Sequence, residues 1–166
     1  MKRVLLTGMS GTGKSTLIRE LAARGYKAVD ADYDGWSHYA TVPADPETEP
    51  IAWQDWVWRE DRIQRLLSTE DADVLFLSGC AANQGKFYSQ FDHIVLLSAS
   101  ARLITERLAT RIDNTYGKRP DELARVLGHK QTVEPRLRND ASLEIDTSAP
   151  LDQVLAAVLR LVGPDR

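Results

Sequence analysis

One cysteine, Cys80, is all the chain has, so no intramolecular disulfide is possible and a reducing cytoplasm is the expected home. Cys80 itself reads as a small buried residue rather than a nucleophile. No apolar run approaches the ~18 residues that would suggest a membrane span. The first residues, Met1-Lys2-Arg3-Val4-Leu5-Leu6-Thr7-Gly8, begin like a secretory signal, but their apolar run is short and lacks a cleavage site. With a net charge of −3 and no long basic stretch, nothing points to a nucleic-acid partner. The three histidines, His38, His93 and His129, lie far apart without metal-ligand spacing. What remains is ordinary for one globular domain spanning residues 1–166: 43% apolar and 27% charged residues, with no internal repeat and no linker.

Within that frame, short apolar runs alternate with helical patterns. Strands are expected at Arg3–Thr7, Tyr26–Val29, Asp73–Leu77, His93–Leu97 and Leu143–Ile145. Helices are expected at Lys14–Arg24 (closed by Gly25), Ile51–Leu67, 84–90, Ala101–Arg111 and Asp121–Leu137, with a break near Pro135. A last helix follows Pro150, with Leu151, Val154, Leu155, Val158, Leu159 and Val162 on its apolar side. Residues 40–50 hold three prolines and read as a loop, as does 112–120. Strands alternating with helices argue for an α/β fold: a five-stranded parallel sheet with helices on both faces, a three-layer arrangement.

The informative segment is Gly8-Met9-Ser10-Gly11-Thr12-Gly13-Lys14-Ser15, directly after the first strand. Gly8, Gly13, Lys14 and Ser15 satisfy Gly-x-x-x-x-Gly-Lys-[Ser/Thr]. Glycines let the backbone fold tightly and turn N–H groups toward phosphate oxygens. The following helix offers its positive end to the same anion. Lys14 adds a full charge at the β- and γ-phosphates, and the Ser15 hydroxyl suits Mg²⁺. Ser10, Gly11, Thr12 and Thr16 complete the expected cradle.

Missing motifs narrow the class. There is no Asn-Lys-x-Asp for guanine and no Leu-Ser-Gly-Gly, and the third strand ends Leu77-Ser78-Gly79 without an acid. The P-loop, the short chain and the arginines after the fourth strand resemble the small P-loop kinases: shikimate kinase, gluconate kinase and the nucleoside monophosphate kinases. Val29-Asp30-Ala31-Asp32 is similar to the Asp-x-Asp that ends the second strand of shikimate kinases. The resemblance implies Asp30 for Mg²⁺ and Asp32 for the acceptor hydroxyl, where a carboxylate orients the nucleophile and takes its proton. A solvated acidic turn is the plain alternative. A calcium loop at Asp30-x-Asp32-x-Asp34-Gly35 is disfavoured by Thr41 at its twelfth position.

The resemblance also implies an acceptor-binding region over 33–70 and a lid over 111–121. Arg59 matches an arginine that grips a substrate carboxylate, and Gly79 and Asn83 stand at the end of the third strand, where acceptor contacts are expected. Arg111 and then Arg119 match lid arginines that close over ATP, Arg107 sharing a helix face with Arg111. Ile145–Ser148 and Pro150 fall at the adenine-contacting turn. The lost Gly-Gly-Gly after the third strand, and the absence of a second substrate arginine beside Pro135, make shikimate itself an unsuitable acceptor. Trp36, Trp53, Trp56 and Trp58 either stack on an acceptor ring or pack the small subdomain. The expected activity is transfer of the γ-phosphate of ATP to a hydroxyl of a small molecule, catalysed by Lys14, Asp32 and Arg111. A nucleoside or nucleotide kinase and a slow ATP-hydrolysing regulatory protein are the alternatives. A monomer or homodimer with no membrane or nucleic-acid partner is expected.

Overall fold

The computed structural model describes residues 1–164. Five strands form a parallel sheet: β1 (Lys2–Thr7), β2 (Lys27–Asp30), β5 (Val74–Ser78), β6 (His93–Ser98) and β7 (Leu143–Asp146), in the order β2-β5-β1-β6-β7. The helices are α1 (Lys14–Ala23), α2 (Glu60–Ser68), α3 (Ala101–Thr110), α4 (Pro120–Thr132), α5 (Glu134–Asp140) and α6 (Leu151–Arg160). A short 3₁₀ helix runs from Gln84 to Gln90. Among the described residues no helix is long and apolar enough to cross a membrane.

Strand alternation sends successive side chains to opposite layers. Val4 and Leu6 of β1 join Phe76, Val95, Leu97 and the inner faces of α1 and α6 in one core. Leu5 points the other way, into a core with Leu75, Leu77, Trp58 and the α2 residues Ile63, Leu66 and Leu67. Leu96 leads into a third cluster with Ile104, Leu108, Val126 and Leu137. Helices thus cover both faces of the sheet, the three-layer arrangement expected from the alternating pattern.

One element departs from expectation. Ile51–Leu67 is not a single helix. Ser37–Val42 (β3) and Trp53–Trp58 (β4) form a separate antiparallel pair, and only Glu60–Ser68 is helical. The proline-bearing loop is correspondingly shorter, since Ala40–Val42 belong to β3. Trp53, Trp56, Val57 and Trp58 are aromatic or β-branched and favour a pleated, half-buried surface. Tyr39 lies opposite Trp56, with ring centroids 4.8 Å apart, edge to face. α2 then starts at Glu60-Asp61, two acids suited to a helix N-terminus. α3 is likewise shorter than expected: Arg111 is its extended C-cap and does not continue the face carrying Arg107.

Asn83 and Gly79 join the pair to the main sheet. The Asn83 amide accepts from the Trp58 N–H at 3.1 Å and donates to the Trp58 carbonyl at 2.9 Å. A Cβ at Gly79 would stand 2.8 Å from Trp58 Nε1 and 3.3 Å from the Ala31 Cβ. Trp58 is 1% exposed, so the indole has no free space to retreat into. Gly79→Ala is expected to destabilise the protein by about 1–3 kcal/mol, the usual cost of overpacking. An unchanged urea-unfolding midpoint would contradict this close contact.

Candidate active site

The phosphate-binding loop leaves the carboxyl end of β1 and enters α1 between β5 and β6. Gly8 has φ of 148°, and a Cβ there would lie 2.3 Å from the Leu97 carbonyl oxygen. Only glycine permits that approach. Thr12 is fully buried, its hydroxyl donating to the Met9 carbonyl at 2.8 Å, which holds the loop's curvature. Lys14 Nζ donates to the carbonyls of Gly8 and Met9 at 2.7 and 3.0 Å, so the ammonium lies over the loop's mouth.

Asp30 ends β2 beside that loop. Its Oδ2 accepts from the Ser15 hydroxyl at 2.6 Å, and its Oδ1 from the Asp32 N–H at 3.1 Å. A hydroxyl and a carboxylate in contact are oxygen donors of the kind a hard cation takes, so Ser15 and Asp30 fit Mg²⁺. Asp34, by contrast, has its carbonyl bonded to Arg62 at 2.9 Å, and among the described residues no group of three or more potential metal-ligating His, Cys, Asp or Glu side chains gathers.

Asp32 opens onto the cleft while protein encloses it on most sides. That enclosure raises its carboxyl above the ordinary carboxylate value; Lys14 opposes the shift and Asp30 adds to it. Cys80 corrects its expected burial: it is exposed to the cleft, where desolvation raises its thiol pKa despite the nearby Lys14.

Two cavities meet at this point. One, of about 870 Å³, runs along Ser10–Leu17, Arg107, Arg111, Thr147, Ala149 and Leu151. The other, of about 780 Å³, is lined by Tyr39, Trp53, Asp55, Trp56, Cys80, Tyr116, Arg125 and His129, among others. Ser10, Lys14, Asp32 and Tyr33, with Ile112, Asp113 and Asn114, line both.

The expected lid arginines separate. Arg111 lines the first cavity, donates to the Tyr116 carbonyl, keeps a buried Nε without a partner, and is held below its ordinary pKa by burial. Arg119 is exposed, pairs with Asp121 at 3.2 Å and lines neither cavity. Arg107, read from sequence as secondary, bonds Gly11 O at 3.3 Å, Thr147 Oγ1 at 2.8 Å and Thr147 O at 2.6 Å. It thereby ties the phosphate loop to the segment after β7. Pro150 lies just outside that cavity, between the lining residues Ala149 and Leu151.

The expected acceptor residues separate too. Arg59 is the exposed N-cap of α2 and lines neither cavity. Gly79 and Asn83 serve the Trp58 junction described above and also line neither. In their place the β3–β4 pair and α4 supply Tyr39, Trp53, Asp55, Trp56, Arg125 and His129, none of which was a candidate from sequence except as part of the tryptophan group. The Arg125 guanidinium lies 3.2 Å from the Trp53 ring centroid and pairs with Glu49 at 2.9 Å. His129 reaches the same Glu49. Arg125 and His129 stand more than seventy residues beyond Trp53, and the only local hint was the aromatic, β-branched run at 53–58.

A loop of this geometry at the end of a central parallel strand, with a Lys and a Ser-carboxylate pair beside it, defines a P-loop nucleotide-binding domain. The chain belongs to the AAA domain family, whose model matches residues 4–128. No curated protein matches it. Among solved structures it is similar to a shikimate kinase from Acinetobacter baumannii in complex with shikimate, at 21% identity and TM-score 0.65, covering 98% of this chain and 93% of that one. It is also similar to a gluconokinase from Sinorhizobium meliloti 1021 (21% identity, TM-score 0.57, 97% and 93% covered). A deoxyadenosine kinase from M. mycoides with bound dATP aligns at 11% identity and TM-score 0.59, covering 99% and 100%. The fold is that of the small P-loop kinases.

The raised Asp32 carboxyl has a consequence for stability. The unfolded chain ionises this group at lower pH than the folded one does, so ionisation opposes folding once pH rises through the folded value. Asp32→Asn removes that penalty. The variant is expected to unfold at a higher temperature than the parent at pH 7, with the gap closing as pH falls below the folded pKa. Equal melting temperatures at pH 7 would contradict the desolvation of this carboxylate in the cleft.

Proposed function

We propose that the protein is an ATP-dependent phosphotransferase acting on a hydroxyl of a small molecule. The observation that carries this reading is the junction of two cavities at Lys14 and Asp32. A donor held in the first cavity and an acceptor in the second would meet there, and phosphoryl transfer is chiefly a matter of positioning and charge neutralisation.

Each residue then has a role set by its chemistry. The loop N–H groups and Lys14 bind the β- and γ-phosphates, with Lys14 exchanging its loop carbonyls for phosphate oxygens. Ser15 and Asp30 hold Mg²⁺, which supplies charge neutralisation at the phosphates when bound. Asp32 orients the acceptor hydroxyl and receives its proton; a carboxyl whose pKa is raised is a better base than an ordinary one. Arg111, whose Nε lacks a partner, neutralises charge on the transferring group. Arg107 keeps the phosphate loop in register with the Thr147 turn, beside which the base of the nucleotide would lie.

A nucleoside kinase is the second reading, favoured by the aromatic wall of Tyr39, Trp53, Trp56 and Tyr116 in the acceptor cavity.

Acceptor-stimulated ADP release under multiple turnover tests the proposal. Lys14→Ala is expected to abolish release while leaving the melting temperature within a few degrees of the parent; full turnover in that variant removes the P-loop from the chemistry. Asp32→Asn is expected to lower kcat by about 10²–10⁴ with little change in ATP affinity. Unchanged kcat with ATP binding intact would take Asp32 out of the mechanism. If no acceptor in a broad panel of hydroxylated compounds raises ADP release above background, the phosphotransfer reading fails.

A further inference from the structure

The charges around the acceptor cavity are unevenly committed. Of the basic side chains lining it, Lys14 belongs to the phosphate loop. Arg125 and His129 both face Glu49, and Arg125 is additionally covered by the Trp53 ring. Glu49 is in turn held in a loop whose neighbours Asp45 and Glu47 pair with Arg136 of α5 at 2.7 and 2.6 Å. A carboxylate is therefore built in beside both side chains, although the buried Arg125 Nη2 makes no aligned hydrogen bond to it.

The carboxylates lining the cavity are in the opposite condition. Asp113 pairs with Arg19 at 2.9 Å. Asp32 and Asp55 have no ion-pair partner among the described residues. Asp55 spends one oxygen on the Trp56 N–H at 2.8 Å, and its other oxygen accepts no hydrogen bond among the described residues. Arg59, the one arginine that sequence reasoning assigned to an acidic acceptor, lies outside the cavity. The same cavity is lined by five aromatic rings, Tyr33, Tyr39, Trp53, Trp56 and Tyr116. At about 780 Å³ the space suits a ring compound of ordinary metabolite size.

We infer that the acceptor is a hydroxylated ring compound bearing a protonated amine, which lies against the aromatic wall with its ammonium at Asp55 and its reactive hydroxyl at Asp32. This rests on the phosphotransferase reading for the hydroxyl's role but not for the binding preference. Carboxylate- or phosphate-bearing acceptors would bring a like charge to Asp55 and Asp32, where the nearby Arg125 already faces Glu49, a repulsive device that gives specificity.

The test is a series of ring compounds differing in charge at one position: glucosamine, glucose and glucuronate. Binding is followed by tryptophan fluorescence without nucleotide, and phosphotransfer by ADP release with ATP. Binding is expected in the order amine, neutral, carboxylate. Asp55→Asn, checked for an unchanged fold by its melting curve, is expected to weaken glucosamine about tenfold or more while leaving glucose within about twofold. Glu49→Gln, which strips Arg125 and His129 of their carboxylate, is expected to strengthen glucuronate relative to glucosamine. Tighter glucuronate than glucosamine binding in the parent, equal loss of glucose and glucosamine in Asp55→Asn, or no binding by any member overturns the inference. Amine binding without ADP release would keep it and remove the phosphotransferase reading. Phosphotransfer confined to glucose or glucuronate would do the reverse.

Discussion

At position 8 the backbone passes so close to Leu97 that a single added carbon would stand 2.3 Å from its carbonyl oxygen. That approach lets the chain turn sharply out of β1, between its neighbours β5 and β6, and come back as α1. The loop's carbonyls then face Lys14, and its first helical turn brings Ser15 against Asp30. Both cavities depend on this turn, because Ser10 and Lys14 belong to the walls of each. The parallel sheet is the reason the turn is available: every strand ends at the same edge, so loops from β1, β2 and β5 converge there.

The second cavity is built differently. Its walls come from a two-stranded ribbon, which has little independent stability. It is held by the Trp58 side chain, packed with Leu5, Ile63 and Phe87, and by the Asn83 amide on the Trp58 backbone. Ion pairs from the loop that connects its two strands to Arg125, His129 and Arg136 fix the far end. Most of those pairs are partly exposed and individually contribute little. Their value lies in orientation, because they set which face of the ribbon meets α4.

Asp32 shows where folding and chemistry pull apart. An ionised carboxylate enclosed beside Asp30 costs stability, offset only in part by Lys14. The same enclosure makes it more basic and places it where the two cavities join. Arg111 is likewise held below its ordinary pKa by desolvation at the same cleft. Such groups concentrate where binding, rather than packing, decides what stays.

How much could be read from the chain alone follows from the range over which its information acts. Gly8 to Ser15 was legible because phosphate binding by a loop and a helix end is a local matter of backbone freedom and spacing, and Asp30 and Asp32 were legible because they follow a strand whose end the sheet determines. Five strands and the layered fold were legible from apolar runs alone. The ribbon at 37–58 was not, since a short aromatic run has no period that separates strand from helix. Nor could sequence separate Arg111 from Arg119, or see that Gly79 and Asn83 serve Trp58: those roles depend on which way a side chain points after the chain has closed. The phosphate loop was thus determined by neighbours along the sequence, whereas the second cavity, with Asp55 outside any ion pair and Arg125 facing Glu49, was decided by contacts between residues up to about eighty positions apart, which only the packed tertiary structure brings together.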